Sequence, residues 1–361
     1  MTRIVIAGGG TGGHLMPALA IAAAVRARRP DIELVMVGAS RGVEVGILPQ
    51  RDFRYHLLPA EPIYRRQWWR NLRWPLLLPR LWAACGRVLE AERPALAVGT
   101  GGYAAGPILW AAHRRGVPVA LQEQNAYPGL ATRLAAPWAR QVHLGFPEAE
   151  ARLRVGADTQ VFALGNPIVP PDPTARAAAR RALGVAAEDP VMFVQCGSQG
   201  ARAVNEAVGG ALDAGLLGDL HVLWSTGHTT HARFAGYARP PMVQVSPFWD
   251  PVAPAYAAAD VVVGRAGAMT LAEVTAWGLP SVLIPLPTAA ADHQTQNAVA
   301  LARAGAATHV PESRLDPQTL ARAVMGILSQ PDRRAAMAAA ARHRGRPNAA
   351  DAIAECLINL L

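Results

Sequence analysis

Three stretches join a β-branched run to a helix-like run through a glycine turn: residues 8–13 after 4–7, residues 196–200 after 191–195, and residues 264–270 after 260–263. Backbone N–H groups in such turns approach an anion closely, and the helix N-terminus adds partial positive charge, so each turn is a candidate phosphate cradle. A tight strand-to-helix connection also wants glycine for steric reasons alone, so both readings stand for the first two. In the third turn, Thr270 and Glu273 have the three-residue spacing of a capping box,. A carboxylate one turn into such a helix also suits the hydroxyls of a ribose. His14 directly follows the first turn and belongs at the carboxyl end of its strand, where an imidazole titrating near neutrality would take a proton from a sugar hydroxyl, or else cap or pack,. Glu123, Gln124 and Asn125 follow a strand ending at Leu121 on the same rim. Asp292, His293, Gln294 and Asn297 form a second polar cluster after Ile284 and Pro285, with a solvated loop as the other reading.

These groups need a scaffold that brings several strand ends to one edge. Strands are expected at 4–7, 34–37, 96–98 and 117–121, with helix-like stretches between them, the first helix running over 18–28,. The pattern is that of crossover units on a parallel sheet. Around Gly165, Asn166 and Pro167 the chain becomes proline-dense, and a boundary is expected there,. Beyond it, strands recur at 191–195, 222–224, 243–245, 261–263 and 282–284, with a helix at about 203–212. The chain therefore reads as α/β, two doubly wound halves with a cleft expected between them. The last stretch, 333–361, reads as helix broken or kinked at Pro347,.

A chain of 361 residues that is 51% hydrophobic and 17% charged buries a large core, which excludes disorder as the dominant state,. It carries 35 Lys+Arg against 26 Asp+Glu, and every one of those cations is arginine. Lysine-dependent mechanisms are excluded, and the surplus of planar guanidinium forks favours an anionic partner. The three cysteines, Cys85, Cys196 and Cys356, lack zinc or redox spacing and fit a reducing compartment,. Residues 1–7 run into the glycine cluster without a signal-like segment,. The most lipid-like stretch, 74–85, is interrupted by Pro75, Pro79 and Arg80 and falls short of the roughly 20 apolar residues of a spanning helix,. Just before it, residues 64–74 interleave arginine and tryptophan. That composition suits an anionic bilayer surface, base stacking, or tryptophans folded into a core,.

Taken together, Gly9 through His14, Gly101-Gly102-Tyr103, Glu123-Gln124-Asn125, Gly165-Asn166-Pro167, Gly197 through Ala201, and the stretch from Asp260 to Glu273 strongly resemble the MurG family. These are the peptidoglycan N-acetylglucosaminyltransferases of glycosyltransferase family 28. The resemblance covers essentially the whole chain in order. It implies a GT-B fold of two Rossmann-like domains: 1–165 facing acceptor and membrane, 166–345 binding UDP-GlcNAc, and 346–361 a helix returning to the first domain. It implies transfer of GlcNAc from UDP-GlcNAc to the MurNAc 4-hydroxyl of undecaprenyl-pyrophosphoryl-MurNAc-pentapeptide, lipid I, giving lipid II with inversion.

By the same resemblance, Ser198 and Gln199 lie near phosphate and Trp249 flanks the uracil. Ala268, Met269, Thr270, Leu271 and Ala272 run along phosphate and sugar, Glu273 meets the ribose, and Gln294 meets the GlcNAc. Thr11, Gly12, Gly13, His14 and Asn125 complete the catalytic cleft, with His14 as base. The segment around 64–82 becomes a surface for an anionic membrane, which implies peripheral attachment at its cytoplasmic face, other cell-wall synthesis proteins as partners, and no nucleic acid. No Asp-X-Asp arrangement is present to hold a divalent ion on a pyrophosphate, so helix N-termini and Arg265 are expected to stabilise the leaving group, with no metal and no cofactor,. The chain departs from the family pattern at Val169, where an arginine is usual, and at Ala266, Cys196 and Gln122, in place of serine, glycine and histidine. Other readings are a different UDP-sugar enzyme of this fold (a lipid glycosyltransferase or an epimerase), a nicotinamide oxidoreductase, and a non-catalytic membrane-surface protein. Against the oxidoreductase, Glu33 precedes its strand instead of ending it,.

Overall fold

The computed structural model describes residues 2–62, 64 and 68–361, so Arg65, Arg66 and Gln67 of the Arg/Trp segment lie outside the described residues. The chain divides into two units, Met1–Val169 with Asn348–Leu361, and Pro170–Pro347.

In the first unit, β1 (Arg3–Gly8), β2 (Glu33–Ala39), β3 (Arg54–Leu58), β4 (Leu96–Gly101), β5 (Val119–Glu123), β6 (Gln141–Leu144) and β7 (Gln160–Phe162) form one sheet in the order β3-β2-β1-β4-β5-β6-β7. Every pairing in it is parallel. The strands are continuous apolar runs because both faces are covered. The short helix α2 (Glu44–Ile47) follows β2, and Val5 and Ala7 pack on one side of the sheet with helices α3 (Trp74–Glu92), α4 (Ala105–Arg114) and α5 (Leu130–Ala135). Ile4 and Ile6 pack on the other with α1 (Gly12–Arg28) and the C-terminal helix Ala349–Ile358. That last helix buries Ile353 and Leu357 completely, and each such side chain is worth about 1.5–3 kcal/mol,.

The second unit repeats the plan with β8 (Val191–Gln195), β9 (His221–Ser225), β10 (Val243–Ser246), β11 (Val261–Gly264), β12 (Ser281–Leu283) and β13 (Ala307–His309), in the order β10-β9-β8-β11-β12-β13, again all parallel. Within it lie α6 (Arg176–Ala182), α7 (Arg202–Asp213), α8 (His231–Phe234), α9 (Ala253–Ala258), α10 (Ala268–Ala276), α11 (His293–Arg303), α12 (Pro317–Leu328) and α13 (Pro331–Arg344). Helices α7 and α12 cover one face of this sheet, α6 and α9 the other. In each sheet the winding reverses beside its first strand, between β1 and β4 and between β8 and β11, so the loops leaving those strand ends diverge and open a crevice,.

Helix α1 begins at Gly12, six residues before the expected start at 18, with Pro17 accommodated inside it. The glycines thus form its first turn and place His14 on a helix. Residues 74–85, read as broken by prolines, are helical throughout. Pro75 stands at the helix start, where no intrahelical N–H bond is lost, and Pro79 is carried within α3,. Strands β3, β6, β7 and β13 are short and polar enough to carry no clear strand pattern. The break expected at Pro347 lies between Arg344 and Ala349.

One buried group makes this scaffold pH-sensitive. His143 in β6 is fully buried, stacked on Phe162 at 5.6 Å, with neither ring nitrogen hydrogen-bonded, and burial pushes its pKa down to about 4. The unfolded chain binds this proton more readily, so stability falls as pH drops from about 6.5 towards 4. Urea unfolding of His143→Phe is expected to lose less stability than the parent across that window; equal losses would assign the acid sensitivity elsewhere.

Candidate active site

The carboxyl edge of the second sheet carries two turns whose shape is held by buried amides. The turn after β8 uses Gly197 at φ +71° and Gly200 at φ +87°. Fully buried Asn205, in the first turn of α7, fastens it. Its Oδ1 accepts from Cys196 Sγ at 3.1 Å and Trp224 Nε1 at 2.8 Å, while Nδ2 donates to Thr226 O at 2.8 Å and Thr230 Oγ1 at 2.9 Å. His228 N–H donates to Ser198 O at 2.9 Å and the Thr229 hydroxyl to Gln199 O. With their carbonyls tied back, Ser198 and Gln199 present exposed side chains. The Cys196 thiol is buried and its pKa pushed up to about 12, so it acts as a neutral donor,.

The turn after β11 is anchored in the same way. Asn297 Nδ2 donates to Ala266 O at 3.1 Å, and Arg265 Nη1 donates to Ile284 O at 3.2 Å and Pro285 O at 3.1 Å. Arg265 also pairs with Glu312 at 2.5 Å and is largely buried. Its guanidinium therefore joins the ends of β11 and β12, and it is a brace before it is anything else. Gln294 Oε1 accepts from Leu286 N–H at 3.0 Å and steadies the next loop.

Gly267, in extended conformation, precedes helix α10 as its N-cap, and no side chain caps the helix. The capping-box reading of Thr270 and Glu273 thus fails, because Glu273 is held elsewhere: its Oε2 accepts from the Tyr256 hydroxyl at 2.9 Å. Burial raises the Glu273 pKa, and the bond from Tyr256 offsets part of that rise. Met269, Thr270 and Ala272 are part-exposed along this helix start, whereas Ala268 and Leu271 are buried and Leu271 packs inward. Trp249 lies half-buried after β10, edge-on to Phe193 at 6.4 Å, with its indole N–H unpartnered. Val169 is 86% exposed and offers no polar atom where an arginine was expected.

In the first unit the corresponding turn is already filled. Glu44, fully buried, places its carboxylate 2.9 Å from Gly10 N–H through both oxygens and 2.7 Å from Ala39 N–H. Gly38 must be glycine here, since a Cβ would come within 2.7 Å of the Glu44 side chain. Within residues 8–13, Gly10 N–H is thus taken by an internal carboxylate. Thr11 and Gly13 are exposed at the start of α1, and Gly12 is half-buried.

His14 is part-exposed, and its Nδ1 lies 3.1 Å from both Thr100 O and Gln124 Oε1. Facing two acceptors, Nδ1 carries the proton, and Nε2 keeps the lone pair. Gly101, at φ +97°, leaves room for that ring; a Cβ would come within 2.7 Å of Nδ1. The orientation of Gln124 is settled by its other end, where Nε2 donates to Thr100 O at 2.8 Å, Gln122 O at 3.0 Å and Gln122 Oε1 at 2.5 Å. Gln122 Nε2 donates in turn to Asn166 Oδ1 at 2.9 Å, and Asn166 Nδ2 returns to Gln124 O at 2.9 Å. Glu123 is occupied by its own loop. Its Oε1 accepts from Asn125 N–H at 3.0 Å and from the Asn125 side chain at 3.3 Å, and its Oε2 from Gly129 N–H at 2.8 Å and Thr132 Oγ1 at 2.6 Å.

Sequence reasoning missed Glu44, Asn205 and Tyr256. If Glu273 accepts ribose hydroxyls, nucleotide affinity should fall as pH drops, beginning above the ordinary glutamate range. Titration calorimetry with UDP should find that limb absent in Glu273→Gln and moved to higher pH in Tyr256→Phe, which loses the bond that lowers the pKa. A pH profile identical in all three proteins would remove Glu273 from the site.

Residues 4–144 match the glycosyltransferase family 28 N-terminal domain, and residues 191–353 match its C-terminal domain. A Salinibacter ruber protein named UDP-N-acetylglucosamine–N-acetylmuramyl-(pentapeptide) pyrophosphoryl-undecaprenol N-acetylglucosamine transferase is 43% identical, over 99% of this chain and 96% of its own. A Moorella thermoacetica protein of the same name is 40% identical, over 99% and 98%. The crystal structure of Acinetobacter baumannii MurG superposes with a TM-score of 0.78 at 27% identity, covering 99% of each chain. The fold is GT-B, and the chain belongs to glycosyltransferase family 28.

Proposed function

We propose that this chain transfers N-acetylglucosamine from UDP-GlcNAc to the MurNAc 4-hydroxyl of lipid I, forming lipid II for peptidoglycan, with inversion and without a metal. The observation that carries the reading is near-full-length identity of about two-fifths to relatives named for that transfer. The second unit takes the donor. Its two neutral, amide-braced turns at Ser198 and Gln199 and at the start of α10 suit a pyrophosphate, Trp249 suits the base, Glu273 the ribose and Gln294 the sugar.

The first unit supplies the base. His14 Nε2 takes the proton of the acceptor hydroxyl as its oxygen bonds to the anomeric carbon, and the bond from that carbon to the UDP oxygen breaks from the opposite face. UDP leaves with the electron pair, and N–H groups at helix N-termini stabilise the charge it gains. In this reading Asn125 and the exposed start of α1 meet the acceptor sugar. Arg265 contributes by bracing the turn.

A lipid-linked acceptor calls for a membrane surface, and the helices over one face of the first sheet supply a candidate. Trp69, Leu72, Leu76, Trp82 and Trp110 are exposed there, with Trp82 and Trp110 in contact at 4.9 Å and the Arg114 guanidinium over Trp110 at 5.4 Å. Tryptophan with arginine on an apolar surface suits the interface of an anionic bilayer. The reading is a peripheral enzyme at the cytoplasmic face of the membrane; no helix among the described residues is long and apolar enough to cross it.

The test is turnover of a lipid I analogue in chelator, with UDP-glucose and UDP-GalNAc as competing donors. Chelator-resistant, GlcNAc-selective product is expected, and His14→Ala should lower kcat by about 10²–10⁴-fold with the KM for UDP-GlcNAc little changed. A His14→Ala enzyme with near-parental kcat would contradict the assignment of the base.

A further inference from the structure

The first unit presents an arginine pair that the transfer mechanism has not used. Glu61, 5% exposed, holds one guanidinium on each carboxylate oxygen: Arg41 Nη1 at 2.9 Å from Oε1 and Arg73 Nη2 at 2.6 Å from Oε2. The carboxylate is buried while the two arginine side chains remain 59% and 50% exposed. One carboxylate against two guanidiniums leaves a net positive charge and several outward N–H donors, fixed one carboxylate apart. Paired planar forks of this kind are suited to a doubly charged phosphate ester.

Its neighbours set its place. The Tyr103 hydroxyl donates to Arg41 O, and the Tyr103 ring stands against Gly10 in the turn that leads to His14. Arg73 is the residue from which α3 starts, between Leu72 and Leu76, which are 70% and 74% exposed. Along this surface the order is therefore base, arginine pair, apolar helix. In the glycine turn, Gly10 N–H is already taken by the Glu44 carboxylate.

We propose that Arg41 and Arg73, pre-set by Glu61, bind the pyrophosphate of the lipid-linked acceptor. The inference rests on the transferase reading and deepens it. The acceptor's own order of sugar, pyrophosphate and polyprenyl chain matches the order on the protein. The pair fixes the acceptor's register, so that its sugar reaches the His14 region while its chain leaves over α3.

The experiment compares the parent with Arg41→Gln, Arg73→Gln and the double variant, in non-ionic detergent free of anionic lipid. Two acceptors are used: a short-chain lipid I analogue with its pyrophosphate, and the same glycopeptide as a neutral alkyl glycoside. Each single variant should raise KM for the pyrophosphate acceptor about tenfold, leaving KM for UDP-GlcNAc and turnover of the neutral acceptor unchanged. Arg41→Lys should recover only part of the loss. Inorganic pyrophosphate should compete with the acceptor in the parent and lose that competition in the variants. An unchanged KM, or an equal rise for both acceptors, overturns the proposal. So does a defect that appears only when anionic vesicles are added, since the pair would then hold a lipid headgroup. Absence of turnover by the parent enzyme would instead defeat the transferase reading, and competition by inorganic pyrophosphate in binding would still decide whether the pair takes that anion.

Discussion

The two halves of this chain share a parallel sheet, a reversal of winding and a glycine turn at the reversal, and what separates them chemically is a single buried carboxylate. Glu44 fills the first unit's turn from within, satisfying Gly10 and Ala39 N–H groups that would otherwise be orphaned in the interior. A buried donor left unpaired costs about 1–3 kcal/mol, so the carboxylate and the glycines around it stabilise each other. A second anion there would sit against the first in a medium that screens poorly. In the second unit the equivalent turn is braced by the neutral amide of Asn205, and the turn after β11 by Asn297 and an already paired Arg265. Two structurally alike switch points are thereby given different internal partners.

The same economy of charge runs through the surroundings of His14. The groups behind its ring are a backbone carbonyl and the amides of Gln124, Gln122 and Asn166, none of which changes charge with pH. They hold the proton on Nδ1 and leave the lone pair on Nε2 without adding a competing ionisable group. The carboxylate one residue away, Glu123, is kept out of the chemistry by four donors of its own loop. Gln122 is a link in this amide chain.

The sheets, the turns and the chemistry-bearing residues close to a turn could be read from the sequence, because apolar strand runs and glycine punctuation are local signals. The positions of His14 and Glu273 beside a turn were legible for that reason. The start of α1 was misplaced because glycines and Pro17 argue against helix locally, while burial of Leu15, Ala18 and Leu19 against the sheet stabilises it,. Glu44 and Asn205 escaped notice because each also acts across a long sequence separation, 34 residues to Gly10 and 25 to Thr230, that no local pattern announces. Tyr256 likewise meets Glu273 only after α9 and α10 are folded on their sheet. The Arg265 side chain reads from sequence as a free cation beside a turn, and only its carbonyl and Glu312 contacts reveal a brace.

Nucleotide, on this reading, goes to the amide-braced turns and never to the carboxylate-filled one. Amide hydrogen exchange with and without saturating UDP tests that division directly. Added protection is expected at residues 195–205 and 264–273, with residues 8–14 exchanging as they do without nucleotide. Protection of Gly10 and its neighbours by UDP, with the second unit unchanged, would contradict it.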